Sequence, residues 1–192
     1  LVWFRNDLRL SDNPALSRAA MDSDTIEAVY IHCHEYVESH PVAPVRLHFI
    51  FEHLQLLGEE LAERGIPLTL LEVKKAKDIP AAILKLAQKK SCDQLHLNAE
   101  YPLDEFVRDK NVAAKCKDAG IIVRRFHDRV IVPPGMIRNG QGLPYKVFTA
   151  FKRTWLQQAT AVSWASPSSA PVFPKVAACK FDNSALKKWF AD

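Results

Sequence analysis

Histidines and carboxylates between residues 32 and 40 are the first side chains in the sequence that could support chemistry. The segment holds three imidazoles and two carboxylates, which are typical ligands of Zn²⁺ and related ions: His32, His34, His40, Glu35 and Glu38. No helical or hairpin spacing locks these side chains into one coordination sphere. We therefore interpret the segment as a solvated polar loop and predict no metal centre.

Asp104 and Glu105 form a second candidate group, because two adjacent carboxylates begin a predicted helix. Acidic residues there stabilise the first turn through the helix dipole, so a purely structural role and a role in a site both stay open. No nucleophile elbow with a Ser-His-Asp or Cys-His set can be identified. Neither GxGxxG nor a P-loop occurs, so a dinucleotide or ATP site is not expected.

The composition is that of an ordinary globular protein, with 192 residues, 48% hydrophobic and 25% charged. No apolar run approaches the ~20 residues that span a bilayer, so we expect no membrane association. The first residues do not resemble a signal peptide. The four cysteines lie far apart without a CxxC pair, which favours thiols in a reducing compartment and predicts a cytoplasmic protein: Cys33, Cys92, Cys116 and Cys179.

The charge balance is mildly basic, with 26 Lys and Arg against 22 Asp and Glu and a pI near 8.9. Nucleic-acid-binding proteins usually concentrate their basic residues on one surface. Here the positive residues are scattered along the chain, with only short pairs such as Lys89–Lys90. The surplus permits an anionic partner without requiring one.

Strand-like and helix-like segments alternate from the first residue to about residue 130. The predicted strands cover residues 1–5, 25–32, 66–73, 92–98 and 121–127, and the predicted helices cover 15–20, 44–64, 78–89 and 104–119. No hairpin signal separates the strands. The pattern predicts an α/β fold with a doubly wound, Rossmann-like, five-stranded parallel sheet and helices on both faces. Ligands of such sheets bind at the carboxyl ends of the strands.

The pattern changes after residue 130, where Val132-Pro133-Pro134-Gly135 interrupts the alternation. We predict one helix over 146–158, an extended Ala/Ser/Pro-rich connector over 159–178, and another helix that begins near 183. The predicted organisation is an α/β domain at 1–130, a linker with one helix at 131–182 and the start of a further domain at 183–192. We expect the chain to be the front portion of a longer protein.

Two segments carry a more specific signal: VWFRNDLRLSDNPAL at residues 2–16, and VPPG at 132–135 followed by YKVFTAFKRTW at 145–155. They resemble signatures of the photolyase/cryptochrome family, most closely those of bacterial photolyases for cyclobutane pyrimidine dimers. The resemblance identifies residues 1–130 as the antenna domain and 183–192 as the start of the helical FAD-binding domain. We predict that the polar residues of the first signature form a salt-bridged, capped turn without a ligand role: Arg5, Asn6, Asp7, Arg9 and Asp12.

The resemblance implies a part in light-driven repair of DNA by a deoxyribodipyrimidine photo-lyase. In that family an antenna pigment absorbs near-ultraviolet or blue light and passes its excitation to FAD, which then donates an electron to the damaged pyrimidines. FAD and UV-damaged DNA would be bound by the helical domain that follows. The chain alone is therefore expected to be an inactive monomer with little or no affinity for DNA.

The resemblance also points to particular residues for the pigment. Members that bind 5,10-methenyltetrahydrofolate carry a His after the second strand and an Asn/Asp-Glu pair after the fourth, which here correspond to His40, Asp104 and Glu105. A carboxylate can accept paired hydrogen bonds from the pterin, so Glu105 is the strongest single candidate for a pigment contact. Asp104 departs from the commoner Asn, which puts its contact in doubt. Asn98 and Tyr101 could shape the same crevice, although Tyr101 is interpreted mainly as a packing residue.

Two alternatives stay open. A cryptochrome photoreceptor would share this domain and repair no DNA, and the residues that distinguish it lie outside the chain. A stand-alone nucleotide-binding module would bind ATP or NAD at the strand ends, but the absence of a glycine-rich loop counts against it.

Overall fold

Five short strands form a single sheet. The computed structural model describes residues 1–39, 42–161 and 177–189. The strands are β1 (Val2–Phe4), β2 (Ala28–Cys33), β3 (Leu68–Val73), β4 (Gln94–Asn98) and β5 (Ile122–Phe126). They are all parallel and lie in the order β3-β2-β1-β4-β5, which is the Rossmann order for five strands. The predicted doubly wound parallel sheet is confirmed.

Seven α-helices occur in the described part of the chain: α1 (Pro14–Asp22), α2 (His34–Ser39), α3 (Pro44–Glu63), α4 (Ile79–Lys89), α5 (Leu103–Asp118), α6 (Phe148–Ala161) and α7 (Ser184–Trp189). The prediction of a loop before residue 40 was wrong, because α2 occupies residues 34–39. This helix has six residues and buries none of its side chains, so no apolar periodicity reveals it. Most of the predicted connector, residues 162–176, lies outside the described residues, and residues 159–161 belong to α6.

Apolar side chains cover both faces of the sheet, as the alternation of β1 illustrates. Trp3 is 1% exposed and packs in a cluster with α4 and α5, whereas Val2 and Phe4 pack in the opposite cluster with α1 and α3. Trp3 and Phe4 are therefore core residues. None of the helices in residues 1–39, 42–161 and 177–189 is long and apolar enough to span a membrane.

Glycines end the two longest helices of the α/β domain in the same way. Gly65 after α3 and Gly120 after α5 adopt φ values of +70° and +77°, which side chains with a Cβ rarely tolerate. The N–H groups of Ile66 and Ile121 then return to helix carbonyls at 2.9 Å in both cases. These are Schellman caps, which turn the chain directly from each helix toward the following strand.

Asn98 ties the start of α1 to the end of β4. Its amide nitrogen donates to Asp7 at 2.6 Å and to Asn13 at 2.8 Å, and its amide oxygen accepts from the backbone N–H of Ala15 at 3.0 Å. Asn13 is the N-cap of α1 and accepts from the N–H of Leu16 at 3.1 Å. The capped turn predicted for the first signature is present.

The strand order reverses between β1 and β4, and a cluster of buried charges lies beside the carboxyl ends of these strands. Arg5 Nη1 donates to both carboxylate oxygens of Asp109, at 2.9 and 3.0 Å, and Nη2 donates to the carbonyl of Asn98. Arg108 Nη2 donates at 2.7 Å to both Glu100 and Asp109. The cluster thus joins β1, β4 and α5.

The opposite charges in this cluster compensate one another. The four side chains of Arg5, Glu100, Arg108 and Asp109 are between 2% and 8% exposed. Burial by itself would raise the pKa of Glu100, but the charges of Arg5 and Arg108 and a hydrogen bond from Asn6 lower it below its ordinary value. Two cations balance two carboxylates, so the cluster adds no net charge to the interior.

His96 is a buried imidazole on β4 without a hydrogen-bond partner in the described structure. It is 1% exposed, and the Oδ2 atom of Asp22 lies 3.7 Å from its Nε2 atom, which is too long for a hydrogen bond. Burial is the main cause that lowers the pKa of His96, and the positive amino terminus adds to it. The fold therefore accommodates the neutral ring.

The substitution Arg108→Met tests the charge cluster. It leaves Glu100 buried without its closest cation, and breaking a buried ion pair costs about 3–5 kcal/mol. We expect the free energy of unfolding in urea to fall by about 3 kcal/mol. The double variant Arg108→Met/Glu100→Gln removes the unpaired charge, keeps an oxygen for Asn6 and should recover about half of this loss. If the double variant is as unstable as Arg108→Met alone, the loss of stability comes from packing rather than from the unpaired charge of Glu100.

The lowered pKa of His96 predicts that the protein is less stable in mild acid than at neutral pH. Its pKa is lower in the folded state than the ordinary 6.5, so its contribution is complete above pH 6.5 and declines as the pH falls below that value. The midpoint of urea unfolding should therefore be lower at pH 5.5 than at pH 7.5. His96→Leu should reduce this difference, although His32, whose pKa is also lowered, retains part of it. The matched control His48→Leu, on the exposed surface of α3, should leave the difference unchanged.

Candidate functional site

A cleft of about 320 Å³ opens at the carboxyl edge of the sheet. Its walls come from the ends of β1 and β2, from α2 and α3, and from the first turns of α5. This is the edge at which parallel sheets bind ligands, and the volume is in the range of small-molecule sites. The position of the cleft follows from the strand order, because neighbouring connections leave opposite faces of the sheet where that order reverses.

Two of the three predicted site residues line this cleft. Asp104 and Glu105 lie in the first turn of α5, as the sequence predicts, and both residues line the cleft. Glu105 is half-buried, whereas Asp104 is exposed and lies on the rim that the cleft shares with a more open depression beside α2. The helix dipole favours negative charge at both positions, so the structural role and the site role are compatible. His40 lies outside the described residues.

Aromatic side chains form much of the inner surface of the cleft. Trp3 reaches it from β1, Tyr30 from β2 and Tyr36 from α2. Burial raises the pKa of Tyr30 to about 12, with a further contribution from the carboxylate of Glu100, so its hydroxyl stays protonated and can donate. Burial likewise raises the pKa of Tyr36. Flat rings with neutral hydroxyl groups suit a planar, heteroaromatic ligand.

Several charged or polar residues of the cleft were not identified from the sequence as site residues. Arg5, Asn6, Glu100 and Arg108 all contribute to its wall, although Arg5 and Asn6 were expected to have a structural role only. Arg5 and Arg108 also stack on the ring of Trp3, with their guanidinium carbons 4.6 and 4.8 Å from its centre. Three of these residues could have been identified from their position at strand ends, because Arg5 and Asn6 directly follow β1 and Glu100 follows β4.

Asn98 and Tyr101 do not line the cleft. The amide of Asn98 is fully occupied by the bonds that hold α1. The hydroxyl of Tyr101 instead pairs with Nδ1 of His127 at 2.8 Å, and its ring stacks on the same imidazole. Tyr101 is partly exposed and is therefore not a core residue either.

The last described helix, α7, contributes to the cleft through His32. The ring of Trp189 stacks on His32, a cleft residue, with 4.8 Å between ring centroids. Glu72 pairs with His34 at 2.6 Å and with Lys188 at 3.3 Å. Hydrogen bonds from His34 and Trp189 are the main causes that lower the pKa of Glu72 to about 2. The side chains of β2, β3 and α7 thus form one connected group.

Two of the histidines expected to lie in a solvated loop, His32 and His34, have other partners. His32 stacks on Trp189, and His34 pairs with Glu72. No group of three or more His, Cys, Asp or Glu side chains that could hold a metal ion occurs among the residues the structure describes. The four cysteines are free thiols, of which Cys33 lines the cleft.

Comparisons with known proteins agree with this architecture. The sequence profile of the DNA photolyase family matches residues 1–174. The deoxyribodipyrimidine photo-lyase of Vibrio cholerae is 39% identical over 156 residues, which are 81% of this chain and 33% of that protein. The corresponding enzyme of Escherichia coli is 36% identical over 159 residues. The chain therefore spans about a third of the length of the curated relatives it matches.

Solved structures show the same relationship. The class III photolyase of Agrobacterium tumefaciens superposes with a TM-score of 0.75 at 26% identity, over 98% of this chain and 37% of that one. A cryptochrome of Synechocystis shares the fold, with a TM-score of 0.72 at 22% identity over 95% of this chain and 39% of that one. The chain belongs to the DNA photolyase family and corresponds to its N-terminal α/β domain.

Proposed function

We propose that this chain is the light-harvesting domain of a deoxyribodipyrimidine photo-lyase and that its cleft holds the antenna pigment. The observation that carries the proposal is the cleft itself, which combines aromatic walls with the carboxylates of Asp104 and Glu105 at the carboxyl edge of the sheet. When bound, the pigment would supply absorption of near-ultraviolet or blue light. The protein would orient it and exclude water from it.

The side chains fit 5,10-methenyltetrahydrofolate, our proposed pigment. Its pterin presents amino and ring N–H donors, and the carboxylate of Glu105 can accept a pair of them. Glu105 is half-buried, so a charge-assisted hydrogen bond there is less exposed to solvent than one at Asp104. His40 completes the proposed set, and Val42, two residues later in the chain, lines the cleft.

The domain division is part of the proposal. Residues 1–130 form the antenna domain, 131–182 link it to the next domain, and 183–192 begin the helical domain that binds FAD and UV-damaged DNA. The backbone N–H of Cys179 donates to the carbonyl of Ala62 at 2.9 Å, and Leu186 of α7 is fully buried. The end of the linker therefore packs against α3. The chain by itself is expected to lack repair activity, since flavin and lesion are bound elsewhere.

A cryptochrome photoreceptor is the second candidate, because a cryptochrome shares the fold. The relatives from Vibrio cholerae and Escherichia coli, at 39% and 36% identity, are named photo-lyases, which favours repair. Light-dependent repair of a dimer-containing oligonucleotide by the longer protein would separate the two.

Glu105 provides the test of the pigment site. Titrating the chain into 5,10-methenyltetrahydrofolate should change the absorbance and fluorescence of the folate. Glu105→Gln should raise the dissociation constant by about 10- to 100-fold, since hydrogen bonds to charged groups are worth about 1.5–3 kcal/mol. Asp104→Asn, which restores the residue commoner in the family, should weaken binding by less than about threefold, because Asp104 is exposed.

The control is Glu60→Gln, an exposed carboxylate on α3 that should leave the affinity unchanged. Equal affinities of Glu105→Gln and the unmodified chain would remove Glu105 from the site. Preferential binding of a flavin or deazaflavin, with the same dependence on Glu105, would contradict folate and preserve the antenna role.

A further inference from the structure

The last described segment of the chain, residues 177–189, packs against the α/β domain, and we call it the strap. Near its start, the backbone N–H of Cys179 donates to the carbonyl of Ala62, close to the end of α3, at 2.9 Å. Near its end, Lys188 forms a salt bridge of 3.3 Å with Glu72 on β3. The strap is therefore held both to α3 and to the edge strand of the sheet.

Gly58, in the interior of α3, provides the space that the strap occupies. A Cβ atom at this position would lie 2.5–2.6 Å from three ring atoms of Phe181. Carbon atoms in contact are normally about 3.5–4.0 Å apart, so the ring fits only against a residue without a side chain. Glycine is less favourable than alanine inside a helix, and the close approach of the strap accounts for its occurrence here. Leu186 of α7 is completely buried, which adds apolar packing to the same interface.

Trp189, at the end of the strap, contacts a residue of the cleft. Its ring stacks on His32 with 4.8 Å between the ring centroids and 18° between the planes. His32 is 8% exposed and lines the cleft, whereas Trp189 does not line it. Trp189 therefore supports the ring of His32 without forming part of the wall itself.

The second ring that contacts His32 is connected to the strap as well. His34 lies edge-on to His32 with 5.0 Å between the ring centroids, and its Nε2 atom is 2.6 Å from Oε1 of Glu72. The other carboxylate oxygen of Glu72 accepts from Lys188 of the strap. Both of these ring contacts of His32 thus lead to the strap, one directly and one through Glu72.

We propose that the strap is a positioning element of the cleft, because its docking against Gly58 brings Trp189 onto His32 and fixes that part of the wall. Docking of the strap and binding of a ligand that contacts His32 then favour each other, since coupling between two sites is reciprocal. A docked strap has already ordered the ring, so the ligand does not have to order it. The inference goes beyond the proposed function, and only the choice of ligand for its test rests on that proposal.

The first measurement follows the His32 ring by NMR in the 192-residue chain without ligand. The Hε1 resonance of His32, assigned with His32→Gln, should be displaced by the ring current of Trp189. Gly58→Ala should undock the strap and move this resonance toward its position in Trp189→Ala. The control Gly140→Ala, where an added Cβ meets nothing within 4 Å, should leave it in place. An unchanged resonance in Gly58→Ala would overturn the inference.

The second measurement shows whether Gly58 acts through Phe181. Gly58→Ala alone should lower the midpoint of urea unfolding, although the same change inside most helices raises it. In a Phe181→Ala background the substitution should raise the midpoint, because the space beside the helix is then free. A decrease in both backgrounds would place the effect within α3 and contradict a role of the strap.

The third measurement tests the coupling by titration with 5,10-methenyltetrahydrofolate. Gly58→Ala and Trp189→Ala should each raise the dissociation constant by about fivefold or more, although neither residue lines the cleft. Trp189→Phe, which retains a ring that can stack on His32, should restore most of the affinity. Unchanged affinity in Gly58→Ala and Trp189→Ala would overturn the coupling. If the unmodified chain binds no folate, the proposed function fails, and the His32 resonance still decides whether the strap positions the cleft.

Discussion

The reversal of strand order between β1 and β4 is the constraint on which the site depends. At that point polar side chains follow two adjacent buried strands, so charges must be accommodated where water is largely excluded. Arg5 and Arg108 meet the carboxylates of Glu100 and Asp109 there, and the guanidinium groups also stack on Trp3. The wall of the cleft is consequently rich in charged groups and close to neutral. A ligand would meet these fixed hydrogen-bonding groups together with the carboxylates of Asp104 and Glu105, which lie outside the compensated cluster.

The parts of the fold that the sequence predicts correctly are those determined by local signals. The five strands follow from runs of β-branched and aliphatic residues, and the ends of α3 and α5 follow from Gly65 and Gly120, whose left-handed backbone a glycine tolerates best. Helix α2 is stabilised by non-local contacts instead. His34 pairs with Glu72, and the carboxylate of Glu35 accepts the N–H of Ala76 at 2.7 Å. Contacts across some 40 residues leave no periodic pattern in the sequence.

The candidate site likewise contains residues that local signals predict and residues that depend on non-local contacts. Asp104 and Glu105 could be predicted because a helix that follows β4 must begin at the carboxyl edge of the sheet. Arg108 could not, since its role depends on Glu100 and on Asp109, whose other partner, Arg5, lies 104 residues away. Asn98 illustrates the opposite error. It occupies a position at the end of a strand where ligands bind, but its amide already bonds to Asp7, Asn13 and Ala15.

The segment that follows the α/β domain also contacts a residue of the cleft. His32 lines the cleft and stacks on Trp189, while Glu72 holds Lys188 of the same helix. Movement of α7 would therefore change the position or solvation of a cleft side chain, and a ligand that orders His32 would in turn favour the docked position of α7. The salt bridge with Glu72 also compensates the charge of Lys188. Lys152 and Arg153 of α6, by contrast, form no salt bridge with the carboxylates that the structure describes. Helix α7 is thus connected to a cleft residue by specific side-chain contacts.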